Sequence, residues 1–260
     1  MEWRLIAVSL AVIWAASLCN LLLESGHGSK ARFLDDGGRV SKKRNVLLVI
    51  AHPDDESMFF TPTINHLTSK GHNLHILCIS TGNADGMGDA RKQELYLAAA
   101  TLKVSPHQVK VLDHPDLQDG FGKVWNSDLL AKIMKEEADN NSIDVVISFD
   151  NYGVSGHCNH CDVHRGVRKL LQDASYKNLE AWELVSSNIF RKYIGPIDVW
   201  LSLLYVKLHP NGKVHFLING HPRRSFAAMA QHLSQWVWFR KLFVSFSSYT
   251  YVNSLKKIDV

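Results

Sequence analysis

Asn45-Val46-Leu47-Leu48-Val49-Ile50-Ala51, followed at once by His52-Pro53-Asp54-Asp55-Glu56, sets the architecture of this chain. A short apolar run bounded by polar residues is the pattern of a strand buried on both faces in a parallel sheet. Three further runs resemble it, at 74–80 (LHILCIS), 109–112 (VKVL) and 143–149 (IDVVISF), with helical patterns near 57–69, 88–102 and 127–139 between them. Strand and helix therefore alternate, which predicts βαβ crossovers and an open α/β sheet. Beyond residue 180 the signals mix: 182–186, 197–205 and 214–218 read as strands and 225–243 as a helix, in no order that pattern alone supplies.

The chain has 260 residues, 46% apolar and 21% charged, with 7 prolines and 16 glycines, which suits one globular domain and excludes a disordered or collagen-like chain. A net charge of +4 is too small an excess to argue for nucleic acid. Cys19, Cys78, Cys158 and Cys161 are too few and too unevenly placed for a disulfide scaffold.

Residues 5–23 (LIAVSLAVIWAASLCNLLL) carry no charge and are long enough to cross a bilayer core. A cleaved secretory signal is the rival reading, with Arg4 before the run and small residues at 15–17. The flanks favour a retained anchor: Arg4 stands alone on one side, and Lys30, Arg32, Arg39, Lys42, Lys43 and Arg44 follow on the other, which would keep the carboxyl-terminal side cytosolic. The chain then divides into an anchor over 1–24, a basic, glycine-containing tether over 25–45 and a folded domain over 46–260.

Open α/β sheets bind ligands beyond the carboxyl ends of their strands. The residues there are His52 to Glu56, Thr81 to Gly86, Asp113-His114-Pro115-Asp116, and Asp150 leading to His157 and His160. The first turn serves equally as a metal-binding turn or as an acidic cap for the next helix. In His157-Cys158-Asn159-His160-Cys161-Asp162-Val163-His164, one option is a structural zinc on Cys158 and Cys161 with His157 or His164, although no second pair of ligands is in view. The other joins His160 to His52 and Asp55, three ligands with a fourth position open to water, as catalytic sites have.

Ala51-His52-Pro53-Asp54-Asp55-Glu56 paired with His157-x-x-His160 resembles the LmbE-like zinc de-N-acetylases of amino sugars. Within that superfamily, the apolar amino-terminal run, the loop Ser80 to Gly86 and the tail Met229-Ala230-Gln231-His232 to Trp238-Phe239-Arg240 are similar to the branch acting on N-acetylglucosaminyl-phosphatidylinositol. The likeness covers about residues 46–245. It implies a Rossmann-like fold, Zn2+ held by His52, Asp55 and His160, Asp54 as general base and a charged His157 stabilising the oxyanion. His and Asp ligands also accept other divalent ions. The resemblance further implies a glycolipid substrate, an endoplasmic-reticulum membrane location through residues 5–23 and a cytosolic catalytic domain; it names no partner subunit. Bacterial members carry aspartate where this chain has Asn159, so a neighbouring histidine loses a charged partner and keeps an amide that can orient it.

Arg91 and Asp85 are candidate substrate-binding residues, Arg91 for a phosphate. Glu94 reads as an i,i+3 surface partner of Arg91. His232 with Gln235 reads as helix packing, and the aromatic stretch Trp236 to Phe246 with Arg240 and Lys241 as either a core helix or a segment that dips into a membrane. Two other functions fit the same chain: a secreted amino-sugar deacetylase, if residues 1–24 were removed, and a zinc-stabilised scaffold without turnover.

Overall fold

The computed structural model describes residues 2–23, 33–34, 42–120, 122–173, 176, 178–209 and 212–259. In chain order the elements are α1 (Glu2–Leu23), β1 (Asn45–Ile50), α2 (Asp55–Met58), α3 (Thr61–Lys70), β2 (Asn73–Cys78), α4 (Gly88–Thr101), β3 (Val109–Val111), α5 (Ser127–Asn140) and β4 (Val145–Phe149). After them come α6 (Gly153–Gly156), α7 (Cys158–Leu171), β5 (Glu180–Leu184), α8 (Ile189–Lys192), α9 (Asp198–Leu208), β6 (Val214–Ile218), α10 (Pro222–Met229), α11 (Trp238–Phe246) and β7 (Val252–Lys257).

The seven strands form one sheet in the order β3-β2-β1-β4-β5-β7-β6. β3 to β5 are mutually parallel, and β7 runs antiparallel to both of its neighbours. The continuous apolar runs have the expected cause. Val46, Leu48 and Ile50 of β1 enter one core with Ile64 and Leu67 of α3 and Leu95 of α4. Leu47 and Val49 enter the other with Leu130 and Met134 of α5 and Val163 of α7. Helices thus cover both faces, and strand order reverses between β1 and β4, where a crevice opens at the strand ends.

Two expectations fail beyond residue 180, and one strand there carried no expectation. The 197–205 run is helix α9, not a strand: it is rich in leucine, a good helix former, and an apolar run without a period does not distinguish the two. The 225–243 helix is two helices, α10 and α11, interrupted by a short 3-10 turn at Leu233–Gln235, because His232 leaves helical geometry as its ring meets Glu56. β7, with Asn, Ser and two lysines, lacked a strand signal altogether. Most of the 25–45 tether lies outside the described residues, but Phe33 is fully buried and meets Trp182 edge-on, ring centres 5.0 Å apart.

Candidate active site

The turn after β1 is built around Asp54. Its backbone sits at φ 115°, a costly conformation for a residue with a Cβ, and its N–H donates to Glu56 Oε2 at 3.1 Å. Asp55 opens α2, and its Oδ2 accepts the backbone N–H groups of Ala51 and His52 at 3.0 and 2.9 Å. Its other oxygen faces His160 Nε2 at 3.1 Å. His160 arrives from the first turn of α7, with Nδ1 bonded to the Gly153 carbonyl at 3.1 Å and its ring stacked on Phe149 at 3.9 Å. That carbonyl claims the Nδ1 proton and leaves a lone pair on Nε2, the form a metal ligand needs.

His52 is oriented from the opposite side. Its Nε2 lies 3.2 Å from both Asn159 Oδ1 and Asp119 Oδ1, two acceptors that call for a proton there and leave Nδ1 with the lone pair. Asn159 therefore orients His52 rather than His157. Among the described residues, the one group of three potential ligands within shared reach is His52, His157 and His160, with donor atoms within 4.8 Å of one another. His52 and His160 belong to the predicted set; the third member of this group is His157, whereas Asp55, the third predicted ligand, lies outside it, 3.1 Å from His160 Nε2 and 3.9 Å from His52 Nδ1. Cys158 and Cys161 are free thiols outside this group, and buried His164 points to the Phe149 carbonyl at 3.1 Å, so the alternative cysteine set is not assembled.

Asp54 stands beside these donors, its Oδ2 in an ion pair with Arg240 from α11 and 3.5 Å from Arg91 Nη2. Burial pushes its carboxyl above the usual carboxylate range, against the pull of Arg240 and Arg91. Asp55 behaves oppositely: burial disfavours its charge, yet His160 and His52 hold it well below that range. Burial likewise disfavours a charge on His52, but Asp119, Asp55 and Asp54 raise it above an ordinary histidine. His157 is lowered to about 4 by burial, then by His160 and His52. Carboxylates outnumber cations around His52, and a site that draws a proton this way suits a divalent cation in the proton's place. Donor types and placement thus fit a zinc-like ion.

Arg91 does not reach out to solvent. Its Nη1 donates to the Gly82 carbonyl at 2.7 Å and its Nη2 to the Pro53 carbonyl at 2.8 Å, clamping two strand-end loops together. Gly82 has to be glycine: φ is +67° and a Cβ would fall 2.5 Å from the guanidinium. Glu94 is not paired with Arg91, as expected from spacing, but accepts Ser234 N–H and O–H at 2.7 and 2.6 Å. His232 does more than pack: its Nε2 meets Glu56 Oε1 at 2.6 Å with both side chains fully buried.

His52, Asp54, Asp55, Arg91, Asp119, His157, His160 and Arg240 line one cavity of about 670 Å³. Asp85 and Gln235 also line it, and the apolar part of its lining, Tyr193, Phe239, Leu242, Phe243 and Phe246, is largely exposed and so belongs to its mouth, which Asp85 and His157 share. The 113–116 segment is absent from the wall; Asp119, further along the same loop, takes its place. Asp119 and Arg240 are the two site residues that sequence reasoning missed, and their one signal is position, after a strand end and inside the similar carboxyl-terminal tail.

Residues 47–171 match the family described as PIG-L: GlcNAc-PI de-N-acetylase. The chain is 37% identical over 211 residues to N-acetylglucosaminyl-phosphatidylinositol de-N-acetylase of Bos taurus, covering 81% of this chain and 82% of that one. Against the Saccharomyces cerevisiae protein of the same name it is 33% identical over 242 residues, covering 80% and 79%. N,N'-diacetylchitobiose deacetylase from Pyrococcus horikoshii shares the fold, with a TM-score of 0.56 at 14% identity over 86% of this chain and 87% of that one. The chain belongs to the GlcNAc-PI de-N-acetylase family and is a deacetylase of the hydrolase class.

Proposed function

We propose that this chain hydrolyses the acetamide of N-acetylglucosaminyl-phosphatidylinositol, releasing acetate and the free amino sugar for glycosylphosphatidylinositol-anchor synthesis, at the cytosolic face of the endoplasmic reticulum. The observation that carries this reading is the meeting of His52, Asp55 and His160 with a separate buried carboxylate, Asp54, at the foot of a cavity with a largely apolar mouth. His52, Asp55 and His160 would hold one Zn2+, with His157 on the open side. Such an ion acts as a Lewis acid on the carbonyl and on water.

The chain's own groups do the rest. Asp54, whose affinity for a proton is raised by burial, takes the proton of the attacking water and passes it to the sugar nitrogen as the C–N bond breaks. With its pKa lowered to about 4 by burial and by the neighbouring His160 and His52, His157 would offer the carbonyl oxygen a hydrogen bond from a neutral N–H. Arg91 and Arg240 stabilise the Asp54 carboxylate between turnovers.

A lipid substrate is supported by the cavity mouth and by α1. Residues Trp3–Leu22 are long and apolar enough to cross a bilayer, and Leu21 packs with Val199, Phe216 and Val252 of the domain. A cleaved signal would strip those contacts, so the secreted reading is the weaker one. The test is acetate release by the full chain from N-acetylglucosaminyl-phosphatidylinositol, before and after chelation. Activity lost to the chelator and restored by Zn2+ is expected; a metal-loaded protein that releases no acetate contradicts the reading.

A further inference from the structure

The domain does not hang below its anchor. Trp200 of α9 donates Nε1 to Ser17 Oγ at 3.0 Å, and Trp14 meets Phe246 of α11 with ring centres 5.3 Å apart. Gly195, ahead of α9, lets this happen: a Cβ there would fall 2.6 Å from Trp14 Nε1. The span Trp3–Leu22 has 20 residues, about 30 Å at 1.5 Å per residue, so all of it is needed to cross the hydrocarbon core. Ser17 then lies about 8 Å, and Trp14 about 12 Å, inside the boundary at Leu22. Whatever touches them lies at that depth too.

The elements that touch them have lipid-facing chemistry. α9 is apolar around most of its circumference and bares Leu201, Leu204 and Leu208, with Leu204 52% exposed. α11 bares Trp238, at 72%, and Phe239, Leu242 and Phe246, of which the last three also line the cavity mouth. Phe190 of α8 is 84% exposed. From Ser187 to Tyr251 the sequence has eight Lys and Arg residues but a single acid, Asp198, and that one is buried against Arg191 at 2.5 Å. Aromatic and apolar tips with cations and no exposed carboxylate suit an anionic bilayer surface.

We propose that α9 and α11 are immersed in the leaflet that α1 enters, forming a lipid-contacting collar around the cavity mouth, so that a headgroup reaches Asp54 while its acyl chains stay in the membrane. This rests on α1 crossing the bilayer, as read above, and adds that the catalytic domain itself is part-submerged. An open surface for a second protein would not require these side chains to sit at the depth of Trp14 and Ser17.

The test reconstitutes the full chain in phosphatidylcholine vesicles containing phosphatidylinositol and a phosphatidylcholine with a photoactivatable group on its acyl chain, followed by peptide mapping. Lipid adducts are expected on α1, α9 and α11, and not on α5. Adducts on α1 alone overturn the collar and leave the anchor standing. Their absence from α1 as well overturns the anchor on which the collar rests. Leu201→Glu with Leu204→Glu should lower activity on vesicle-borne substrate about tenfold or more while sparing substrate dispersed in detergent; full vesicle activity in that variant also overturns the collar.

Discussion

Asp54→Asn separates the roles of the two adjacent aspartates. The amide has the shape of the carboxylate, and asparagine tolerates the positive φ of this position as well as aspartate does. The Asp54 N–H to Glu56 bond is untouched because it comes from the backbone. Arg91 keeps the carbonyls of Pro53 and Gly82, and Arg240, partly exposed, can turn to solvent. The change therefore forfeits a charge-assisted contact of about 1.5–3 kcal/mol, offset in part because a buried ionised carboxyl is no longer maintained. The melting temperature should move by less than about 12 °C, taking about 2–4 °C per kcal/mol for a domain of this size. The rate should fall about 10²–10⁴-fold, or about 2.7–5.4 kcal/mol of barrier, the range for losing a general base. Bound metal by elemental analysis, a melting curve and kcat for acetate release measure all three in one preparation. A variant with its metal and a kcat within about tenfold of the parent would refute Asp54 as base; a variant without metal would make Asp54 a ligand.

Asp119→Ala should weaken metal binding about 10–100-fold in a chelator competition, because His52 keeps only Asn159 to fix its ring; unchanged affinity would remove Asp119 from the site. Gly153→Ala puts a Cβ 2.9 Å from that of His160 at φ +54°, and should cost about 1–3 kcal/mol in thermal unfolding together with weaker metal binding. His232 is held above its ordinary pKa of 6.5 in the fold: burial opposes the charge, but Glu56, Asp54 and Glu94 outweigh it. Its contribution to stability is thus fully present below about pH 6.5 and lost as pH rises through the folded value, so the difference in melting temperature between the parent and His232→Gln should shrink with rising pH. A difference that grows with pH contradicts this pairing.

The parallel half of the sheet was legible because β1 and β4 are buried on both sides, and burial of that kind leaves unbroken apolar runs. The placement of the site was legible where its residues follow those strands directly, as His52, Asp54 and Asp55 do, or open the helix that follows the loop after β4, as His160 does in the first turn of α7. Asp119 was hidden because it sits in an irregular loop, where no periodicity marks which side chain turns inward. Arg240 and His232 reach the site only through packing of a segment about 180 residues away in sequence from Glu56 and Asp54. α9 was misread for a physical reason as well: a helix bare on most of its circumference has neither an amphipathic period nor the polar alternation of a half-buried strand.

The most direct test of the account is the anomalous scattering of a zinc-loaded crystal at the metal edge. The account predicts one ion with His52, Asp55 and His160 at about 2.0–2.2 Å and a coordination position left facing the cavity. An ion on Cys158 and Cys161, or a closed shell of four protein ligands, would contradict it.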